Sequence, residues 1–157
     1  SMNHHNHSNK YYEQIVLFIV MFFVALFVNP MNILAYRIED LYLSTTLILT
    51  SLYMASTMVW AHQVFHYVYK GHFNLNIFGI GVIFSLFFIF LLRSQILVSP
   101  KQWLRRMIPH HSTALTTSTQ LLKNGHVDDK TFRLAKDIVL TQQMEIDTMK
   151  ILLNETP

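Results

Sequence analysis

Three long apolar runs within the first 98 residues constrain this chain more than any other feature. Residues 11–28 are apolar except for Glu13 and Gln14 near the start. At about 1.5 Å per residue such a helix nearly crosses a hydrocarbon layer of roughly 30 Å. Asn29-Pro30 ends it. Residues 41–65 hold Ser, Thr and Met but no Lys, Arg, Asp or Glu, with Asp40 placed as a helix cap. Residues 75–98 form the third run, and residues 77–92 contain Ser85 as their one hydroxyl. Arg93 near its end can extend to the headgroups. A soluble core would need amphipathic helices to cover three such runs, and none lies among them. The expectation is three membrane-spanning helices over residues 10–98.

The last third is different in kind. Residues 1–98 hold four Lys/Arg and three Asp/Glu, whereas residues 99–157 hold eight and six. Ser99-Pro100 reads as an N-cap followed by proline in the first helical position. The helix is expected to run to about Lys123, where Asn124-Gly125 stops it. Val127-Asp128-Asp129 opens a second helix with acids at the positive end of its dipole, reaching about Leu153. The fold class is therefore all-α. It comprises a His-rich disordered tail (1–9), three transmembrane helices (10–98) and a C-terminal antiparallel hairpin (99–157). The apolar residues Leu104, Leu115, Leu121, Leu122, Ile138, Leu152 and Leu153 need more cover than one hairpin gives. Dimerisation into a four-helix bundle would supply it, and docking on the membrane helices is the alternative.

Cysteine is absent, so thiolate metal sites are excluded and soft-metal chemistry must use Met and His. On a helical wheel Met107, His110, His111, Ala114 and Ser118 share one face. Ala135, Ile138, Gln142, Glu145, Ile146 and Met149 share another. A tight turn near residue 126 then sets Met107 opposite Glu145, His110 opposite Gln142, and Met149 near Trp103. Thioether, imidazole and carboxylate at one level suit copper or zinc. The competing reading is a packed polar network that fixes the register of an oligomerisation module.

The series Met107-Ile108-Pro109-His110-His111, Ala114, Leu134-Ala135, Ile138 and Gln142-x-x-Glu145-Ile146-x-x-Met149 resembles the bacterial domain-of-unknown-function family three hundred and five. That family carries a Met-Ile-x-His-His helix followed by a Gln-x-x-Glu-Ile-x-x-Met helix. The resemblance covers about residues 100–153, and the spans with a His-rich start resemble its membrane-anchored branch. It implies a ferritin-like helical bundle, a link to copper or other metal resistance, and Met107, His110, His111, Gln142, Glu145 and Met149 as metal residues. Thr116, Thr117 and Ser118 stand where the family often has a further Met, which points to a leaner His/Met/Glu site.

Secondary metal candidates lie elsewhere. His62 and His66 are one turn apart below Met54 and Met58, and intramembrane ionisable residues are functional candidates. Alternatively they sit at headgroup level in an aromatic belt with Trp60, Tyr67 and Tyr69. His4, His5 and His7 form a loose metal-capturing tail or an inert one. His72 and His126 read as lone loop residues.

The function expected is a membrane-anchored, copper-binding protein acting in storage, sensing or resistance, with zinc as the alternative metal. The other reading is a non-enzymatic interaction module. An enzyme is not expected: a ferritin-like dinuclear site needs several carboxylates and Glu-x-x-His pairs, and the sequence has no Glu-x-x-His. A net charge of +3 spread along the chain gives no nucleic-acid footprint. The partners expected are the lipid membrane, a metal ion and a second copy of the chain. The localisation expected is the bacterial inner membrane, N-terminus cytoplasmic and hairpin extracytoplasmic. Lys101, Arg105 and Arg106 beside the third span argue for the reverse orientation.

Overall fold

The computed structural model describes residues 2–157, with side chains from residue 8 onward. The expectations for His4, His5 and His7, and for most of the 1–9 tail, fall outside the described side chains. Among the described residues the fold is all-α. The elements are α1 (Met2–Phe27), α2 (Pro30–Leu34), a 3-10 turn (Ile38–Asp40), α3 (Thr45–Lys70), α4 (Leu75–Ser94), α5 (Pro100–Asn124) and α6 (Asp129–Glu155). They group into two compact units. The first joins residues up to Val28 with Leu47–Ile96; the second joins Asn29–Thr46 with Leu97–Pro157.

Among the described residues two helical stretches are long and apolar enough to cross a membrane: Ser8–Leu34, whose last residues belong to the second unit, and Leu75–Ser94 in the first. Only 6% and 28% of their apolar windows are buried. Phe23, Phe27, Ile83, Leu86 and Phe90 lie exposed on them instead. Such a surface requires an apolar solvent or an apolar partner.

The helix expected as the second span, α3, is not among these two. Its Thr, Ser, Gln and His lower its mean hydropathy. Yet much of that polarity is answered within the helix. Ser51 Oγ donates to the Leu47 carbonyl at 2.8 Å, Ser56 Oγ to Leu52 at 2.8 Å, and Thr57 Oγ1 to Tyr53 at 2.9 Å. Hydroxyls bonded back one turn no longer seek water. The small residues also allow close helix approach. A Cβ added at Gly81 of α4 would stand 3.0 Å from both Trp60 Cβ and Trp60 N, and 3.3 Å from the Ser56 carbonyl. Gly79, two residues earlier, faces open space. Gly81→Ala is therefore expected to destabilise by about 1–3 kcal/mol through overpacking against backbone. Gly79→Ala should instead stabilise by about 0.5–1 kcal/mol, because alanine loses less backbone entropy in a helix. Thermal unfolding in detergent reads both; equal shifts would contradict the close approach.

The second unit is built on the expected hairpin. Ser99 Oγ accepts from Gln102 N at 3.3 Å, and Pro100 follows it in the first helical turn. Gly125 adopts φ 74° just past the end of α5, a conformation that a Cβ disfavours. Asp128 accepts from Thr131 N at 3.1 Å and caps α6. A hydrogen bond from the Thr131 side chain, then the one from its amide, holds the Asp128 carboxyl below its ordinary pKa. Leu104, Ile108, Leu115, Ile146, Met149 and Leu153 form the core between α5 and α6.

Part of the cover for this core comes from elsewhere in the same chain. Tyr42 packs on it, and α2 and the 3-10 turn lie against α5. The segment between the first and second apolar runs is thus part of the hairpin's own unit. It is tied there by polar contacts. Asp40 is fully buried; its Oδ2 accepts from Ser112 Oγ at 2.7 Å and its Oδ1 from Lys150 Nζ at 2.6 Å. Ser112 Oγ in turn accepts from Tyr36 N at 2.8 Å, and Arg105 Nε donates to the Leu43 carbonyl at 2.6 Å. Asp40 therefore does not cap α3, because its carboxylate is engaged by α5 and α6. The Thr45 amide at the start of α3 is answered by Gln102 Oε1 at 3.0 Å.

Candidate functional site

The hairpin brings three of the six expected residues to one groove. His111 of α5, with Glu145 and Met149 of α6, lines an open cleft of about 560 Å³. Trp103, Leu104 and Leu152 are among its apolar walls. Met149 is otherwise buried in the core. The other three residues do not line this groove. Met107 packs half-buried against the core, Gln142 is half-buried, and His110 is largely exposed. The rings of His110 and His111 stand 6.1 Å apart. Partial burial, then the charges of Arg106 and His111, lower the pKa of His110 from its ordinary 6.5.

The expected pairing of Met107 with Glu145 is corrected by one turn. Glu145 Oε2 lies 2.8 Å from His111 Nδ1. The reason is the lean of helical side chains toward the N-terminus of their own helix. In an antiparallel pair this moves α5 tips away from the turn and α6 tips toward it. Side-chain contacts then join residues of higher number than the backbone levels suggest.

The His111–Glu145 contact is short but poorly directed. His111 Nδ1 is buried and has no aligned hydrogen-bond partner. A bare imidazole lone pair and a carboxylate oxygen repel at this distance, and a proton or a metal ion between or beside them would relieve that repulsion. A proton on Nδ1 meets that need only along a bent line. A metal ion meets it without that constraint, with the Met149 thioether as a neighbouring soft donor. The donor set fits such an ion on this chemistry.

Pro109 shapes the same stretch. It is buried inside α5 and has no amide hydrogen, so the helix ladder lacks one bond a residue before the His pair.

The secondary candidates are placed as follows. His62 Nε2 and His66 Nε2 are 3.1 Å apart on α3. They stand with Glu13 of α1 in a cluster whose ligand atoms all lie within 4.8 Å of one another. Met58 and Met54 stand one and two turns earlier, half-buried and exposed. Trp60 packs edge-on against Phe78 of α4, at 6.3 Å between rings, while Tyr67 and Tyr69 are exposed. His72, read as a lone loop residue, borders a polar pocket with His66 and Glu13. His126 is an exposed loop residue between α5 and α6.

Sequence reasoning missed Asp40, Ser112 and Lys150 as a group, and Glu13 and Gln14 as neighbours of the histidines. The signals were faint. A lone Asp between two apolar runs, and two polar residues at the edge of a span, have local explanations that hide distant partners.

The fold and site define a class: an all-α protein with membrane-length apolar helices and a helical hairpin bearing a His/Glu pair. Residues 95–153 match the family described as Domain of unknown function (DUF305). Over 148 residues the chain is 34% identical to "Uncharacterized protein L153" of Acanthamoeba polyphaga mimivirus, covering 91% of this chain and 93% of that protein. The chain belongs to the family of that viral protein, and its C-terminal hairpin is the part that matches the DUF305 model. No solved structure matches the chain.

Proposed function

We propose that this chain is a membrane-anchored, non-enzymatic metal-binding protein whose hairpin holds a copper ion between His111, Glu145 and Met149. The observation that carries this reading is the buried His111 Nδ1, 2.8 Å from the Glu145 carboxylate without an aligned hydrogen bond. Met149 on the same groove favours Cu(I), and the imidazole accepts either copper oxidation state. His110, held neutral to lower pH than an ordinary imidazole, is available as an outer ligand for loading or handover. Storage, sensing or resistance are the uses that such reversible coordination serves. The groove is also apolar and open, with Trp103, Met144 and Leu152 exposed along it. A second hairpin laid there would complete a four-helix bundle and bring two His111–Glu145 pairs to one axis.

Copper titration with elemental analysis tests the metal. The wild type is expected to retain stoichiometric copper and His110→Ala/His111→Ala to lose it. Equal retention by both, or no binding by the wild type, would sink the copper reading. Lost dimerisation in the variant without any wild-type binding would favour the interaction-module reading.

The membrane topology proposed has three crossings. Residues 29–46 and 97–157 belong to one unit, so the chain between them leaves and returns to the same side. That takes an even number of crossings. With α4 as one, α3 is the other, despite its lower hydropathy. The hairpin is then on the opposite side from the start of α1, and we assign it to the extracytoplasmic face, where copper is handled. The viral relative widens the choice of membrane beyond a bacterial one. Because the chain has no cysteine, single substitutions serve as labels. Glu39→Cys and Glu155→Cys are expected to react with an impermeant thiol reagent from the same side, and Lys70→Cys from the other. Labelling of all three from one side would contradict three crossings.

A further inference from the structure

We propose a second metal site, for a divalent cation of the zinc class, formed by Glu13 of α1 with His62 and His66 of α3. It is independent of the hairpin: it uses other helices, other residues and a harder donor set.

The geometry carries it. Two ligands about 2.0–2.1 Å from a tetrahedral zinc ion stand about 3.3 Å apart. The Nε2 atoms of His62 and His66 are 3.1 Å apart. A Glu13 carboxylate oxygen completes a triad in which every ligand atom is within 4.8 Å of the others. The two rings meet edge-on at 4.3 Å between centroids. Two imidazoles and one carboxylate form a set that zinc accepts with its fourth position open.

A second observation points to a ligand. Gln14 contacts His62 Nδ1 through its Nε2 at 3.1 Å, while its own Oε1 is buried without a hydrogen-bond partner. In that arrangement His62 Nδ1 accepts, so the ring proton sits on Nε2 and points at His66. Turning the amide by 180° brings Oε1 to Nδ1. Nδ1–H then donates to Gln14, and the Nε2 lone pair is released toward the cation. A metal-bound histidine is held by a hydrogen bond of this kind from its far nitrogen. No proton need be lost from the ring; the tautomer changes.

Access is present. A polar pocket of about 110 Å³ borders Glu13, Gln14, His66 and His72. Its one lysine, Lys10, is exposed and can turn toward solvent. His72, on the same pocket, is placed to relay a cation or to fill the open position. The ion would staple the middle of α1 to the last turns of α3.

The test uses the full chain in detergent micelles. His4, His5 and His7 are replaced by Asn, and His110 and His111 by Ala, so that neither the tail nor the hairpin contributes. Calorimetric titration with zinc alone is expected to show one ion per chain. His62→Ala/His66→Ala is expected to abolish that binding. Gln14→Leu, which keeps all three ligands, should weaken it roughly 10–100-fold. No zinc uptake by the starting background, or uptake unchanged by the histidine pair, overturns the proposal. If the paired variant does not fold, X-ray absorption on the zinc-loaded background decides. Two imidazole ligands are expected, and a shell without them overturns it. Because the hairpin is silenced throughout, failure here leaves the copper reading of the hairpin untouched.

Discussion

Replacing Lys150 by methionine is expected to destabilise the C-terminal unit by about 3–5 kcal/mol, the cost of leaving a buried charge without its partner. Asp40 has no exposed surface, and after the change Ser112 remains as its side-chain donor among the described residues. Asp40→Asn should cost less, about 1–3 kcal/mol. Its amide carbonyl still accepts from Ser112, and Lys150, part-exposed, turns its ammonium to water. The order of the two variants is the sharp part of the prediction. A surface salt bridge would give small and similar values for both. Trp103 fluorescence in a Trp60→Phe background reports unfolding of this unit, since the chain has two tryptophans. Unfolding of Lys150→Met at the wild-type denaturant concentration would refute the buried clip.

Met149→Leu is expected to keep the fold and lose most of the affinity for Cu(I). Leucine and methionine are close in volume, and such swaps cost less than about 1.5 kcal/mol in a core. Met149 is buried in the hairpin core, so its packing survives in the variant. Only the soft donor is removed. Loss of a direct ligand should weaken Cu(I) by more than the roughly 10–100-fold that outer-shell changes produce. Zn(II), held by His111 and Glu145, should change little. A competition titration with a Cu(I) chelator reads the difference. Equal Cu(I) affinity in the two proteins would remove Met149 from the site and leave it as a packing residue.

The hairpin was legible because its signals are local. Ser99-Pro100, Asn124-Gly125 and Asp128 lie within a turn of the helix ends they govern, and the apolar stripes repeat at helical spacing. Membrane-length runs are legible for the same reason. Asp40 was not. Its partners Ser112 and Lys150 lie 72 and 110 residues away, and a local reading gave it the nearest helix to cap. Glu13 and Gln14 read as a blemish at the edge of a span until α3 brought His62 and His66 beside them. The register of the hairpin was read one turn short, because the wheel counts backbone levels while contacts are made by leaning side chains. Of the six expected metal residues, His111, Glu145 and Met149 share the groove. His110 is consecutive with His111, and 100° around the helix carries it to the flank.

The most direct test of the copper site is X-ray absorption at the copper edge on the full chain, loaded with one equivalent of Cu(I), with His4, His5 and His7 replaced by Asn. A shell containing both an imidazole nitrogen and a thioether sulfur is expected, the sulfur vanishing in Met149→Leu and the nitrogen in His111→Ala. A shell without sulfur, or one unchanged in either variant, would contradict it.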